Sequence, residues 1–178
     1  NTFGIRSIRY DAAKGFFLNE KPMKMYGVCL HHDGGGVGAA VPLGIWEYRF
    51  NKLKEAGINA IRTAHNPMAP EFYDLCDRMG FLVMNENFDT WEYAKNPHDY
   101  HLYFNDWWEK DLTAMIKRDR NHPSVVLYSV GNEIRDNLNN EAGFKKYNQQ
   151  QDLVHQLDPT RPVTMALFRP NVSGVYNN

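Results

Sequence analysis

The sequence predicts an α/β fold, part of a (β/α)8 barrel, and three observations carry that expectation. Short apolar segments with two buriable faces alternate with amphipathic helical ones, which argues for a parallel sheet. The glycine fingerprint of a dinucleotide-binding sheet is missing, because GGGVG (34–38) has neither the right spacing nor an immediate helix. The strand ends are polar while the strand interiors are apolar, as expected where function collects at the carboxyl ends of barrel strands. A whole barrel takes about 250 residues, so the chain holds about the first four and a half βα units, preceded by a short β segment.

Each element follows from its pattern. KMYGVCLH (24–31) is the first strong strand, and residues 43–56 form a helix with Trp46, Phe50 and Leu53 on one face and Gly57 as its stop. INAIRTA (58–64) is the second strand. Pro70 opens a helix that faces the core with Phe72, Leu75, Cys76 and Met79 and ends at Gly80. FLVMNE (81–86) is the third strand. A helix over about 105–120 turns Trp108, Leu112 and Met115 inward. SVVLYSVG (124–131) is the fourth strand, 143–157 the next helix, and PVTMAL (162–167) begins a fifth strand. Ahead of these, FGIRSIRY (3–10) and FFLNEKPM (16–23) read as antiparallel strands.

Bulk properties exclude some partners. Of 178 residues, 43% are hydrophobic and 23% charged, as in globular proteins, and the net charge of −1 comes without blocks of like charge. Nothing therefore recruits nucleic acid or an anionic membrane. Cys29 and Cys76 lie in apolar segments and read as buried free thiols. No signal peptide or membrane span is present, but the chain opens on Asn1 in mid-pattern and reads as a piece of a longer protein. The Asn171-Val172-Ser173 sequon is too short a pattern to use.

The candidate chemistry comes from the strand ends. They supply His31, His32 and Asp33; Arg62, His65 and Asn66; Asn85, Glu86, Asn87, Asp89 and Trp91; and Asn132 with Glu133. One use of this set is a metal site built on His31, Asp33 and His65. The other is carboxylate acid/base chemistry at Glu133. Glycoside hydrolysis needs an acid that protonates the leaving oxygen and then activates water, and a neighbouring amide can bond the sugar 2-hydroxyl.

DRNHPSVVLYSVGNE (119–133) resembles the acid/base signature of glycoside hydrolase family 2, which includes β-galactosidases, β-glucuronidases and β-mannosidases. GFFLNEKPMKMYGVCLHHD (15–33) is similar to the start of that family's barrel, and residues 58–86 to its second and third units. The resemblance implies that residues 1–20 end a preceding immunoglobulin-like β-sandwich and lead into the barrel. Residues 21–178 would be the N-terminal half of a catalytic TIM barrel. It implies Glu133 as general acid/base, Asn132 as 2-hydroxyl partner, His31 and His65 as substrate contacts and Arg62 as support for the carboxylates. Asp89 matches a carboxylate that binds magnesium in metal-dependent β-galactosidases. The companion ligand two residues on should be His and is Trp91, which argues against a metal and offers an indole to a sugar face. The expectation is no cofactor and no metal. Tyr128 replaces a usual Trp, with a packing consequence only.

The expected function is a fragment of a retaining exo-β-glycosidase, foremost a β-galactosidase, acting on terminal β-linked sugars. The family's nucleophile comes from the seventh strand, so no residue here holds that role and the fragment alone should be inactive. A β-glucuronidase or β-mannosidase, a metal-dependent barrel hydrolase and a non-catalytic carbohydrate-binding remnant are the alternatives. The partner is a carbohydrate, without nucleic acid or membrane; a homo-oligomeric parent and a periplasmic or secreted setting complete the expectation.

Overall fold

The computed structural model describes residues 3–168, so the sequon at Asn171 lies outside the described residues. The chain first forms a three-stranded sheet. β1 (Ile8–Asp11) and β2 (Gly15–Leu18) pair antiparallel, with Ile8 opposite Leu18 and Asp11 opposite Gly15, and β3 (Lys21–Pro22) adds to β2. The turn between β1 and β2 is built by Asp11, whose carboxylate accepts the backbone N–H of Ala13 at 3.0 Å and of Lys14 at 2.9 Å.

Five further strands follow, with the order in the sheet equal to the order in sequence: β4 (Gly27–His31), β5 (Ala60–Ala64), β6 (Leu82–Glu86), β7 (Val125–Ser129) and β8 (Val163–Thr164). β5 and β6 are parallel, as are β7 and β8. One helix lies between each successive pair along the chain: α1 (Leu43–Glu55), α2 (Pro70–Met79), α3 (Phe104–Asp119) and α4 (Glu141–Leu157). This is the winding of a (β/α)8 barrel carried through four units and the start of a fifth. Among the described residues no helix is long and apolar enough to cross a membrane.

β5, β6 and β7 are buried along nearly their whole length, because a parallel strand is covered on both faces. β4, at one end of the strand order, has only exposed and half-buried residues, and Cys29 on it is exposed. The expectation of a buried thiol at Cys29 is thereby corrected; Cys76 on α2 is buried as expected. At the other end, the strand expected over 162–167 shrinks to Val163–Thr164 plus a bridge from Ile134 to Leu167.

The chain packs as two compact units. The first gathers residues up to Thr63 with Met68–Asn85 and Asp119–Val126. Its centre is aromatic: Phe72 of α2 meets Trp46 and Phe50 of α1 edge-on at 5.0 and 5.1 Å, and Phe81 lies 4.9 Å from Phe50. These rings follow from the sequence periodicity, although Leu53 and Met79 on the same helices are only half-buried. α2 has Pro70 at its first turn and stops at Gly80, whose φ of 71° is the left-handed geometry that closes helices. Arg6 donates to the carbonyls of Pro123 and, at 2.6 Å, Val125, and Tyr10 donates to Val126 at 2.9 Å. The segment around β1 is thus fastened to the chain entering β7.

The second unit gathers Ala64–Pro67, Glu86–Arg118 and the residues from Leu127 on. Here Phe88, Trp91, Tyr100 and Phe104 form a ring cluster, with Trp91 stacked on Phe104 at 5.9 Å. Trp108, expected inside, is half-buried, whereas Leu112 and Met115 of the same helix are buried. Tyr128 has more than a packing role. Its hydroxyl donates to Asp158 Oδ2 at 2.9 Å, and Arg161 donates to the same oxygen, while Thr160 donates to the other, so both oxygens of a buried acid are satisfied.

Candidate active site

The carboxyl ends of β6 and β7 carry most of the expected residues, and the contacts of Glu86, Asp89, Asn132 and Glu133 lie inside the second unit. β7 is apolar up to Tyr128, then gives Ser129, Val130, Gly131, Asn132 and Glu133 as the chain leaves the strand. A Cβ at Gly131 would sit 2.5 Å from the Ile134 side chain and 3.2 Å from the Trp91 indole nitrogen, so only glycine lets the chain turn this closely. Glu133 then takes φ = 43°, the left-handed region, which costs an ordinary residue about 1–2 kcal/mol. The result is an exposed carboxyl side chain next to a buried amide, since Asn132 is 6% exposed.

The loop after β6 is laced to the loop after β7 by hydrogen bonds that Lys95 and Asp89 reinforce from within the first loop. Asn132 donates its backbone N–H to Phe88 O at 2.9 Å and its side-chain amide to Asp89 Oδ1 at 2.9 Å. Lys95 Nζ donates to the same Asp89 oxygen and to Asn132 O, both at 2.9 Å. Further along, Glu92 and Tyr93 donate their backbone N–H groups to Asp136, each at 3.2 Å. Burial alone would raise the Asp89 carboxyl pKa, but the hydrogen bonds from Lys95 and Asn132 and the Lys95 charge outweigh it and hold the pKa below the usual carboxylate value.

A second network sits beside this one in the chain. Glu86, closing β6 and fully buried, accepts Ser129 Oγ–H at 2.6 Å with one oxygen and faces His65 Nδ1 at 2.7 Å with the other. The His65 ring is fixed in orientation by that contact. Glu86 is among the polar strand ends read from the sequence but receives no role there, and Ser129 is not among them. An acid ending the apolar run FLVMNE was the available signal, because a carboxylate that deep must find partners. Lys95 left no signal at all in a polar loop.

Of the candidates, His65, Asp89, Trp91, Asn132 and Glu133 therefore belong to the second unit, and Asn132 and Asp89 are in direct contact. His31 and Arg62 belong to the first, where the Arg62 guanidinium lies 3.9 Å from Cys29 Sγ. Trp91 is a correction. Its indole is 0% exposed, donates Nε1–H to Val130 O at 2.8 Å and stacks on Phe104, so no ring face is open to a sugar. The ring is pulled inward because a buried carbonyl needs its donor and Phe104 offers an aromatic neighbour.

Residues 11–171 match the family described as "Glycosyl hydrolases family 2, TIM barrel domain". The chain belongs to this family. Among family 2 relatives, the β-galactosidase BoGH2A of Bacteroides ovatus is 43% identical over 94% of this chain and 23% of its own length. A β-glucuronidase of Bacteroides fragilis is 34% identical over 92% of this chain and 24% of its own. A β-glycosidase structure from Bacteroides vulgatus superposes with a TM-score of 0.87 at 49% identity, covering 92% of this chain and 21% of that one. A family 2 β-galacturonidase of Eisenbergiella tayi, bound to galacturonate, gives a TM-score of 0.80 at 33% identity over 93% and 29%. The chain thus spans about a quarter or less of the curated relatives it matches.

Within this family 2 domain, the surroundings of Asp89 do not fit a magnesium ion. Asp89 Oδ1 already accepts from an ammonium, whose positive charge opposes a cation beside it, and from an amide, and position 91 presents an indole N–H, a donor, where a ligand must accept. The one group of three acidic or histidine side chains close enough to share an ion among the described residues is Asp74, Asp77 and His122, none of them from the set His31, Asp33 and His65.

Proposed function

We propose that this chain is the part of a retaining exo-β-glycosidase that supplies the general acid/base, Glu133. The observation that supports it is the backbone. A glutamate held in the left-handed region, directly after an amide locked to Asp89 and Lys95, is a carboxyl group aimed at the cost of strain, and such strain collects at functional sites. Glu133 protonates the departing glycosidic oxygen while a carboxylate from another part of the enzyme attacks the anomeric carbon. The Glu133 carboxylate then takes a proton from water as that water releases the sugar. Retention requires the two carboxyl groups about 5 Å apart. Asn132 serves the sugar 2-hydroxyl, with His65 as a further contact whose orientation Glu86 fixes. His31 and Arg62 serve substrate and carboxylates as the family resemblance implies.

The sugar is a terminal β-galactoside in this reading, in line with the β-galactosidase of Bacteroides ovatus. A uronic acid is the second reading, because a β-glucuronidase and a β-galacturonidase stand among the similar proteins. No metal or cofactor takes part, the partner is a carbohydrate, and a secreted or periplasmic setting suits polymeric or conjugated glycans. The experiment is a panel of aryl β-galactosides, β-glucuronides and β-mannosides offered to the complete enzyme, with Glu133→Gln as the variant. Its kcat/KM should fall by about 100-fold or more on substrates with poor leaving groups and much less on activated ones. Unchanged turnover of an unactivated glycoside by that variant would remove Glu133 from the role.

A further inference from the structure

The loop after β6 carries a cation that neither the sequence pattern nor the family assignment accounts for. The Lys95 side chain is 10% exposed, and its ammonium bonds Asp89 Oδ1 and the carbonyl of Asn132, both at 2.9 Å. That carbonyl belongs to the peptide joining Asn132 to Glu133, the residue at φ = 43°. The amide of Asn132 closes the triangle on the same Asp89 oxygen. Lys95 is itself presented rigidly. Asp99 accepts the backbone N–H groups of Lys95 at 2.8 Å, Asn96 at 2.7 Å and His101 at 3.0 Å, which folds residues 95–101 into a fixed turn.

We propose that Lys95 is the positioning residue of Glu133: it is a built-in cation that pins the Asn132–Glu133 peptide to Asp89 and sets a positive charge on Oδ1 of that carboxylate. The proposal rests on the reading of Glu133 as acid/base. A largely buried ammonium is held here by a carboxylate and a carbonyl, and removing it takes a charged donor from both, leaving Asp89 Oδ1 with the Asn132 amide. The peptide then relaxes from its strained geometry and the Glu133 carboxyl shifts. A small displacement of an acid costs most when the leaving oxygen depends on its proton, and little when the leaving group departs unaided.

The test uses the complete enzyme that contains this chain, with Lys95→Met, Lys95→Arg and Glu133→Gln. kcat/KM is measured on a methyl glycoside and on a 2,4-dinitrophenyl glycoside of the sugar it hydrolyses best, with magnesium chloride or with a chelator. Lys95→Met should lose about 100-fold on the methyl glycoside and at least about tenfold less on the dinitrophenyl one. Lys95→Arg, which keeps charge and donors, should recover most of the loss. Magnesium and chelator should leave the parent unchanged. Equal losses on both substrates would mean damage to folding alone and overturn the proposal, as would no loss, or a parent that gains activity with magnesium. If Glu133→Gln fails to show the same leaving-group dependence, the acid/base reading is at fault and the proposal falls with it. If Glu133→Gln shows it and Lys95→Met does not, only the role of Lys95 is wrong.

Discussion

A carboxylate and an imidazole in hydrogen-bond contact change each other's protonation, and His122 with Asp77 is the clearest such pair outside the candidate site. His122 Nδ1 lies 2.7 Å from Asp77 Oδ2, and the other Asp77 oxygen accepts Ser124 N–H at 3.0 Å. The hydrogen bond to Asp77 raises the His122 pKa above its ordinary 6.5 despite burial. Burial would raise Asp77, but its bonds to His122 and Ser124 prevail and lower it below 3.8. A raised histidine stabilises the fold fully below its unfolded value and loses that contribution as pH rises through the folded pKa. A lowered aspartate contributes above its unfolded value and loses it as pH falls through the folded pKa. The pair should therefore help most between pH 3.8 and 6.5. In thermal unfolding, the advantage of the parent protein over His122→Gln should shrink as pH is raised above that window; an advantage that grows would contradict the pairing. Asp74 and Asp119 also raise His122, so they belong in the comparison as controls.

At the scale of elements, the loop between β6 and α3 does more than connect. Asp99 caps the short 3-10 turn at Tyr100–Leu102, and its bonds to three backbone N–H groups hold its pKa near about 2 although burial opposes this. His101 Nδ1 adds a contact at 2.5 Å. Asp99→Ala should cost about 1–2 kcal/mol, the range for loss of a capping carboxylate, and expose the Lys95 and Asn96 amides to faster hydrogen exchange. If exchange at these amides is unaltered, the turn does not depend on Asp99. The lacing of this loop to the one after β7 through Asp89, Lys95 and Asn132 means that its order is also the order of the Glu133 backbone.

For the whole molecule, the strand order β4 to β8 leaves β4 and β8 as the ends of the five-stranded sheet. Unpaired strand ends attract other chains, so this 178-residue chain alone should self-associate in sedimentation measurements. On the proposed reading, in which Glu133 works with a carboxylate from elsewhere in the enzyme about 5 Å away, this chain by itself should not hydrolyse aryl β-galactosides. Turnover by the isolated chain that Glu133→Gln abolishes would contradict this and place a nucleophile among these residues.

Local periodicity was enough to order the strands and helices. The apolar runs, Pro70 and Gly80 placed α2, and the aromatic spacing of α1 and α2 announced the Trp46, Phe50 and Phe72 cluster. SVVLYSVGNE also marked Glu133 as a carboxyl group delivered by a rigid strand, because a strand that stops being apolar must end at a surface. The tertiary structure alone decided which partners those strand ends acquired. Asp89 and Asn132 are 43 positions apart, and Lys95 reaches Asn132 across 37, so no spacing rule connects them. The same holds for Trp91, turned inward by the Val130 carbonyl, for Cys29, left exposed on the outermost strand, and for Glu86 between Ser129 and His65. Burial and pairing are properties of where loops meet in space, whereas a sequence records only the repeat of side chains along one element.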